Sequence, residues 1–385
     1  THLHAPQYPN SGIFGRATLM DWLKTYTFPT EASMEDLTKA KQVYARCIQR
    51  TLSHGTTTAA YYATVHVSAT NILAETCFAK GQRAFIGRIC MDSHLNPTFY
   101  RDISAESCLA DTRATIAHIS SLDPKNLLVS PIITPRFAPS CTSQAMHYLG
   151  ALQRETGLPV QTHISENKSE IDLVRQLFPQ CTNYADVYDQ HGLLCSKTIL
   201  AHAVHLTEEE ADLIKARQGK ISHCPVSNSA LGSGKARIKW LLRKGIDVGL
   251  GSDISGGYSP SILEAARQSI LISRLVAMDG DEEAKLSVEE VLYLATRGGA
   301  KALGLEEKVG AFQVGMMWDA QLIGLTLVWN DVDMLTEEGG IVDIFPWQED
   351  EERIAKWLFS GDDRNTLAVW VRGRLVHERK SHRVK

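Results

Sequence analysis

The chain reads as an α/β protein, a (β/α)8 barrel of the TIM type with a small β-rich appendage at its C-terminal end. Three observations predict this. Eight short apolar runs alternate with amphipathic stretches within residues 1–251 of the 385, and a barrel of this kind takes about 250 residues. The runs are nearly continuous in apolar character, as strands of a parallel sheet covered on both faces must be. Residues able to bind metal fall at the ends of four runs, and barrel folds carry their chemistry at the C-terminal ends of their strands. A doubly wound open sheet would usually place a glycine-rich phosphate loop after its first strand. No G-x-G-x-x-G or G-x-x-x-x-G-K-[ST] occurs here.

Taken in order, the first strand ends in Thr1-His2-Leu3-His4. Strands are then predicted over 56–63, 83–90, 127–133, 160–163, 198–202, 220–223 and 247–251, each short, apolar and bounded by turn residues. Helices are predicted between them over 34–53, 68–80, 105–119, 143–156 and 208–217. After the eighth strand the texture changes. Residues 288–305 read as helix, then 309–325 and 367–376 as short strands with glycine turns at Gly310, Gly315 and Gly373. The expected division is a barrel over 1–305 and an appendage over 306–385. The appendage reads as incomplete, because a sandwich needs a second set of strands. The acidic run Glu349-Asp350-Glu351-Glu352 reads as a solvated face.

Bulk composition excludes several classes of function. Hydrophobic content of 44% and charged content of 22% are those of an ordinary globular protein. A net charge of -4, with no long basic cluster, gives no general attraction to nucleic acid or anionic membranes. No apolar run is long enough to span a bilayer. Eight scattered cysteines without a Cys-x-x-Cys pair read as reduced, mostly buried thiols of a cytoplasmic protein.

The chemistry lies in His2, His4, His163, His202 and Asp253. Histidines spaced i, i+2 on an extended segment project to the same side, so His2 and His4 can reach one cation. Imidazoles from several strands plus one carboxylate suit zinc or ferrous iron, with a position left for water. The remaining histidines, among them His54, His66, His94, His118, His147, His191 and His205, read as structural or surface residues. Asp253 can bind metal through one oxygen and take a proton from water with the other, since metal binding brings the pKa of water toward neutrality. Glu166, three residues after His163, stands where a carboxyl could transfer a proton, and it also resembles a residue opening a helix. The fourth strand ends in Ile133-Thr134-Pro135-Arg136-Phe137. It offers no lysine to bridge two metals, so one ion is expected. Arg136 and Phe137 supply a hydrogen-bond fork and an aromatic face, suited to a flat heterocycle bearing a carbonyl.

These motifs resemble the metal-dependent amidohydrolases, whose pattern runs His-x-His, His, His and Asp at strands one, five, six and eight. Within that superfamily nearly the whole chain resembles the guanine deaminases. The resemblance is carried by His2–Tyr8, Trp22-Leu23-Lys24-Thr25-Tyr26-Thr27-Phe28-Pro29, Gly55–Ala59, Thr134-Pro135-Arg136-Phe137, His163-Ile164-Ser165-Glu166-Asn167, His223–Asn228 and Gly249–Tyr258. The tryptophan-led segment and Thr-Pro-Arg-Phe are the most particular to that family.

The resemblance implies one zinc ion held by His2, His4, His163 and Asp253, with His202 beside the bound water or as an additional ligand. It implies that Gln7, Arg136, Phe137 and His163 contact guanine, with Arg136 on the ring carbonyl. Glu166 would protonate a ring nitrogen and Asp253 would accept the proton of the water, giving xanthine and ammonia. It also implies a homodimer, with neither nucleic acid nor membrane as partner. Deaminases of other amine-bearing heterocycles share this metal set, and Arg136, Phe137 and Gln7 favour guanine among them. A non-catalytic scaffold is the reading from another class, and the presence of every expected ligand weighs against it. The family carries a segment before the His-x-His that this chain lacks. His2 is therefore expected to be loosely held, and zinc to bind more weakly than in a version with that segment.

Overall fold

Local chemistry sets the helix boundaries in the computed structural model, which describes residues 1–327 and 341–379. Asp36 sits in extended backbone and accepts from the amides of Thr38 and Lys39, opening the helix Leu37–Ser53. The predicted 34–53 helix is thereby split, its first turn becoming the 3-10 segment Ser33–Glu35. Thr142 caps Ser143–Thr156, and Thr207 with Glu210 forms a capping box at Glu208–Ala216. Val67–Lys80 stops at Gly81, whose φ of 80° is one a side chain would strain.

All eight predicted barrel strands form. We number them β1 (Leu3–His4), β2 (Thr58–Tyr62), β3 (Arg83–Gly87), β4 (Val129–Pro131), β5 (Val160–Ile164), β6 (Thr198–His202), β7 (Lys220–His223) and β8 (Val248–Leu250). Two parallel halves run β1–β2–β3–β4 and β5–β6–β7–β8. Between β4 and β5, Ile133 donates to Pro159 O at 2.9 Å and accepts from the Gln161 amide at 2.9 Å. On the other side, the Asp253 amide donates to His2 O and the His4 amide to Ile254 O, both at 3.0 Å. These bonds close the ring. The chain thus folds as a (β/α)8 barrel of the TIM type.

Strand alternation sorts the side chains. Leu3 and Tyr61 point outward and pack with Met34, Tyr44 and Ile48 beneath the helices. Ala60, Phe85, Ile132 and Ile199 meet inside as an apolar floor. Above that floor stand the polar residues at the strand ends. The registers His4 with Tyr62, Ile164 with His202 and Leu250 with His223 hold those ends at one level.

Beyond the barrel, β9 (Ala320–Ile323), β10 (Thr366–Val371) and β11 (Arg374–Glu378) form an antiparallel sheet. The strand predicted over 309–325 is corrected here. Gly310 (φ 91°) and Gly315 (φ 96°) turn the chain, and extension begins at Ala320. A short parallel ladder joins Thr326–Leu327 to Asp343–Ile344. The buried Arg83 at the foot of β3 pairs with Asp319, tying this sheet to the barrel. The acidic run is exposed, as expected, and opens the helix Asp350–Ser360. Residues 328–340 and 380–385 of the expected appendage lie outside the described residues. Among the described residues no helix is long and apolar enough to cross a membrane.

Candidate active site

Five of the polar residues converge at the C-terminal mouth of the barrel. His2 and His4 point inward with the same parity, and both are almost completely buried. His2 was expected to be loosely held, but the backbone around it is pinned. The Thr1 amino group donates to Leu250 O at 2.7 Å, and His2 O accepts from Asp253. Gly251 lets that strand come close, because a Cβ there would lie 2.9 Å from His2 Cβ. His163 enters from β5 by ordinary alternation. His202 does not. Its parity matches Leu200, which packs outward, but φ reaches 75° at His202 and 51° at Ala203. That left-handed step takes the ring to within 5.4 Å of the His163 ring, centroid to centroid, in a stacked arrangement. Ser165 and Asp253 are also left-handed, so three loops beside the cluster hold backbone that L-residues adopt only when their surroundings impose it.

The donor atoms fit a cation. His2 Nε2 lies 3.1 Å from Asp253 Oδ1, His4 Nε2 lies 3.5 Å from the same oxygen, and His4 Nε2 lies 3.2 Å from His163 Nε2. A tetrahedral ion with ligands at 2.0–2.1 Å needs donor atoms about 3.3 Å apart. The protonation pattern agrees. His163 Nδ1 donates to Arg136 O at 2.5 Å, and His202 Nδ1 donates to Asn228 Oδ1 at 2.9 Å. The His163 ring therefore turns an Nε2 lone pair inward, while His202 Nε2, which faces the same cluster, has no hydrogen-bond partner. Two groups of three have donors near enough to share an ion: His2, His4 and Asp253, and His2, His163 and His202. Burial lowers the pKa of His2 to about 4 and those of His4 and His163 well below the usual value, so these rings are neutral and able to bind metal.

The carboxyls differ in the way acid–base work requires. Burial raises the pKa of Glu166 to about 7, with Asp253 and Glu170 adding to the rise. Burial also acts on Asp253, but His2 and His202 outweigh it and keep its carboxylate ionised far into acid. Burial alone would lower the pKa of His202, yet Glu166 and Asp253 facing it raise it. Its Nε2 lies 3.5 Å from Glu166 Oε2 and 3.7 Å from Asp253 Oδ2. Glu166 does not open a helix, because Asn167 caps Lys168–Leu177 and Glu166 precedes the cap. The Glu166 amide donates to Glu170 Oε2 at 3.0 Å, while its own Oε1 accepts from Ser233 at 3.2 Å.

A cavity opens onto this cluster and is lined by Gln7, Arg136, Phe137, Glu166, His202 and Asp253 among others. Arg136 and Phe137, expected at the end of the fourth strand as a hydrogen-bond fork and an aromatic face, thus line the same cavity as the histidine–aspartate cluster. Leu19, Trp22, Leu23 and Leu231 complete its apolar walls and were not expected. Trp22 and Leu23 lie in a family-like segment to which no role was attached. Asn228 and Ser233, which orient His202 and Glu166, also went unassigned. The Arg136 fork is not free. Both of its Nη atoms bond to Glu31, which no sequence pattern singled out.

Tyr188 holds two walls together. Its hydroxyl donates to His163 O at 2.7 Å and accepts from the Thr162 hydroxyl at 3.0 Å and the Ala138 amide at 3.1 Å. Tyr188→Phe leaves these buried groups without their partner and is expected to cost about 1–3 kcal/mol. Urea unfolding monitored by circular dichroism measures this, and an unchanged midpoint would exclude the role.

The Amidohydrolase family matches residues 1–376, and the chain belongs to that family. Within it the similarity runs to guanine deaminases. A probable guanine deaminase of Schizosaccharomyces pombe is 51% identical over 377 residues, covering 98% of this chain and 70% of the relative. The guanine deaminase of Homo sapiens is 40% identical, covering 98% of this chain and 81% of the relative. The crystal structure of guanine deaminase from C. acetobutylicum, with guanine bound in its active site, superposes with a TM-score of 0.88 at 36% identity. That match covers 98% of this chain and 85% of the other.

Proposed function

We propose that this chain catalyses the hydrolytic deamination of guanine to xanthine and ammonia. The observation that carries the reading is one cavity with two chemically distinct sides. A hydrogen-bond donor wall of Arg136 and Gln7 suits a ring carbonyl, while the carboxyls of Glu166 and Asp253 stand over a metal-ligand cluster. Phe137 would lie against the purine, and His163 would border it.

The ion we assign is a single zinc, held by His2, His4, His163 and Asp253. When bound, it supplies Lewis acidity and a water whose pKa lies near neutrality. Asp253 turns Oδ1 toward His2 and His4 and Oδ2 toward His202, so Oδ2 is the base that takes a proton from the attacking water. His202, whose Nε2 faces Asp253 Oδ2 and Glu166 Oε2, stands where it would stabilise the charge developing on oxygen. Glu166, whose carboxyl titrates at about 7 and so keeps a substantial protonated fraction near neutral pH, gives its proton to the ring nitrogen beside the carbon that carries the amino group. The water oxygen bonds to that carbon. Asp253 then passes its proton to the amino nitrogen, the C–N bond breaks and ammonia leaves. The hydroxyl on the carbon returns a proton to Glu166 as the carbonyl of xanthine forms.

We assign the barrel to 1–305, the appendage to 306–385 and the assembly to a homodimer, which size-exclusion chromatography with light scattering tests. The free cysteines suit a reducing compartment, the cytoplasm. The deciding experiment is xanthine formation from guanine by the zinc-loaded protein, with adenine and cytosine in parallel. Selective conversion of guanine is expected. Preference for either other base overturns the substrate assignment, and retention of zinc without any turnover favours the scaffold reading.

A further inference from the structure

Glu31 is a fully buried acid that touches three parts of the site and has no place in the chemistry above. Its Oε2 accepts from Arg136 Nη1 at 2.5 Å, and its Oε1 accepts from Arg136 Nη2 at 3.1 Å and from Gln7 Nε2 at 2.7 Å. His4 Nδ1, which has no hydrogen-bond partner, lies 3.9 Å from Oε1. The residue stands on the short helix Phe28–Ala32, which is itself anchored. The Phe28 ring lies under the Arg136 guanidinium at 5.1 Å, and Asn10 Nδ2 bonds to Tyr26 O and Thr30 Oγ1.

The donor inventory gives this arrangement a direction. Gln7 must present its NH2 to the Glu31 carboxylate, because its Oε1 is needed by the Ser255 amide at 3.3 Å. That fixes the amide orientation and leaves one Gln7 N–H unspent. Arg136 spends two of its five N–H groups on Glu31, in the bidentate geometry that locks a guanidinium plane. Both residues line the cavity, so its wall presents N–H donors. A ring carbonyl oxygen matches such a wall, and an amino group at that place does not. Glu31 also balances the buried Arg136 charge, which would otherwise stand uncompensated beside a divalent cation.

We propose that Glu31 is a positioning residue for substrate selection: it aims Arg136 and Gln7 as a paired donor at the ring carbonyl of the purine. This rests on the guanine reading and adds the group that makes the carbonyl a criterion. The test compares guanine with 2-aminopurine, which carries its amino group on the same ring carbon and lacks the carbonyl. In zinc-loaded wild-type, Glu31→Gln and Glu31→Asp proteins, KM for guanine is measured from its turnover and the binding constant of 2-aminopurine from its competition with guanine, with metal content alongside. Either substitution is expected to raise KM for guanine at least tenfold, leaving the 2-aminopurine constant within twofold and zinc content unchanged. Glu31→Asp keeps the charge and shortens the reach, so it carries the test if Glu31→Gln does not fold. Parallel weakening of both ligands would reveal a merely structural role, and unchanged guanine binding would exclude the proposal. Wild-type protein that binds guanine without deaminating it would refute the functional reading and leave the binding contrast measurable as two dissociation constants.

Discussion

Asp253→Asn is expected to lower kcat by at least about 10³-fold and to strip most of the metal. Two losses combine. Asp253 Oδ1 is the carboxylate oxygen shared by His2 and His4, at 3.1 and 3.5 Å, so an amide there removes the one negative charge of the cluster. Oδ2, beside His202, is the base we propose, and general-base catalysis alone contributes roughly 10²–10⁴-fold. The neighbouring histidines keep Asp253 ionised at any pH used for assay, so lowering the pH of the wild-type protein toward 5 does not reproduce the substitution. Steady-state xanthine production and metal analysis of the same preparation check this together. Activity within tenfold of wild type, or full zinc occupancy, would remove Asp253 from its assigned place. Exhaustive dialysis against a chelator should give the same loss, reversed by adding zinc.

Glu166→Gln separates acid catalysis from metal binding. The amide keeps the hydrogen bond from Ser233 and cannot give up a proton, so kcat falls about 10²–10⁴-fold while zinc content holds. The pH dependence has a definite sign. Burial holds the Glu166 carboxyl at about 7, so the acid form predominates below that pH and disappears above it. Wild-type kcat/KM therefore falls as pH rises through about 7, and the Gln variant lacks that limb. An unchanged limb in the variant would assign the titration to another group, and zinc loss would make Glu166 part of the metal site.

Much of this was legible along the chain. Strands and helices are local, so alternating apolar runs and amphipathic stretches gave all eight barrel strands and the main helices. Boundaries failed where one residue overrode the pattern. Asp36 preferred capping to helix continuation, and two left-handed glycines postponed the appendage strand to Ala320. Of the residues that converge at the barrel mouth, those with chemically distinctive side chains at strand ends stood out in the sequence, because metal ligation and proton transfer need particular atoms. The structure brings the His202 ring beside that of His163, although strand parity alone points it away from the barrel interior.

What remained hidden depends on contacts between distant segments. Glu31 and Arg136 are 105 residues apart, and neither has a local signature that pairs it with the other. Trp22 and Leu231 are ordinary residues until closure of the barrel brings them to one cavity, as are Asn228 and Ser233 until it sets them against His202 and Glu166. The sequence by itself determined the class of fold and the inventory of reactive groups, because periodicity and side-chain chemistry are properties of the chain read in order. Tertiary structure alone decided which ring nitrogens face the cluster, which carboxyl is pushed toward its protonated form and which donors line the cavity. Those depend on burial and on hydrogen bonds formed only when remote strands meet.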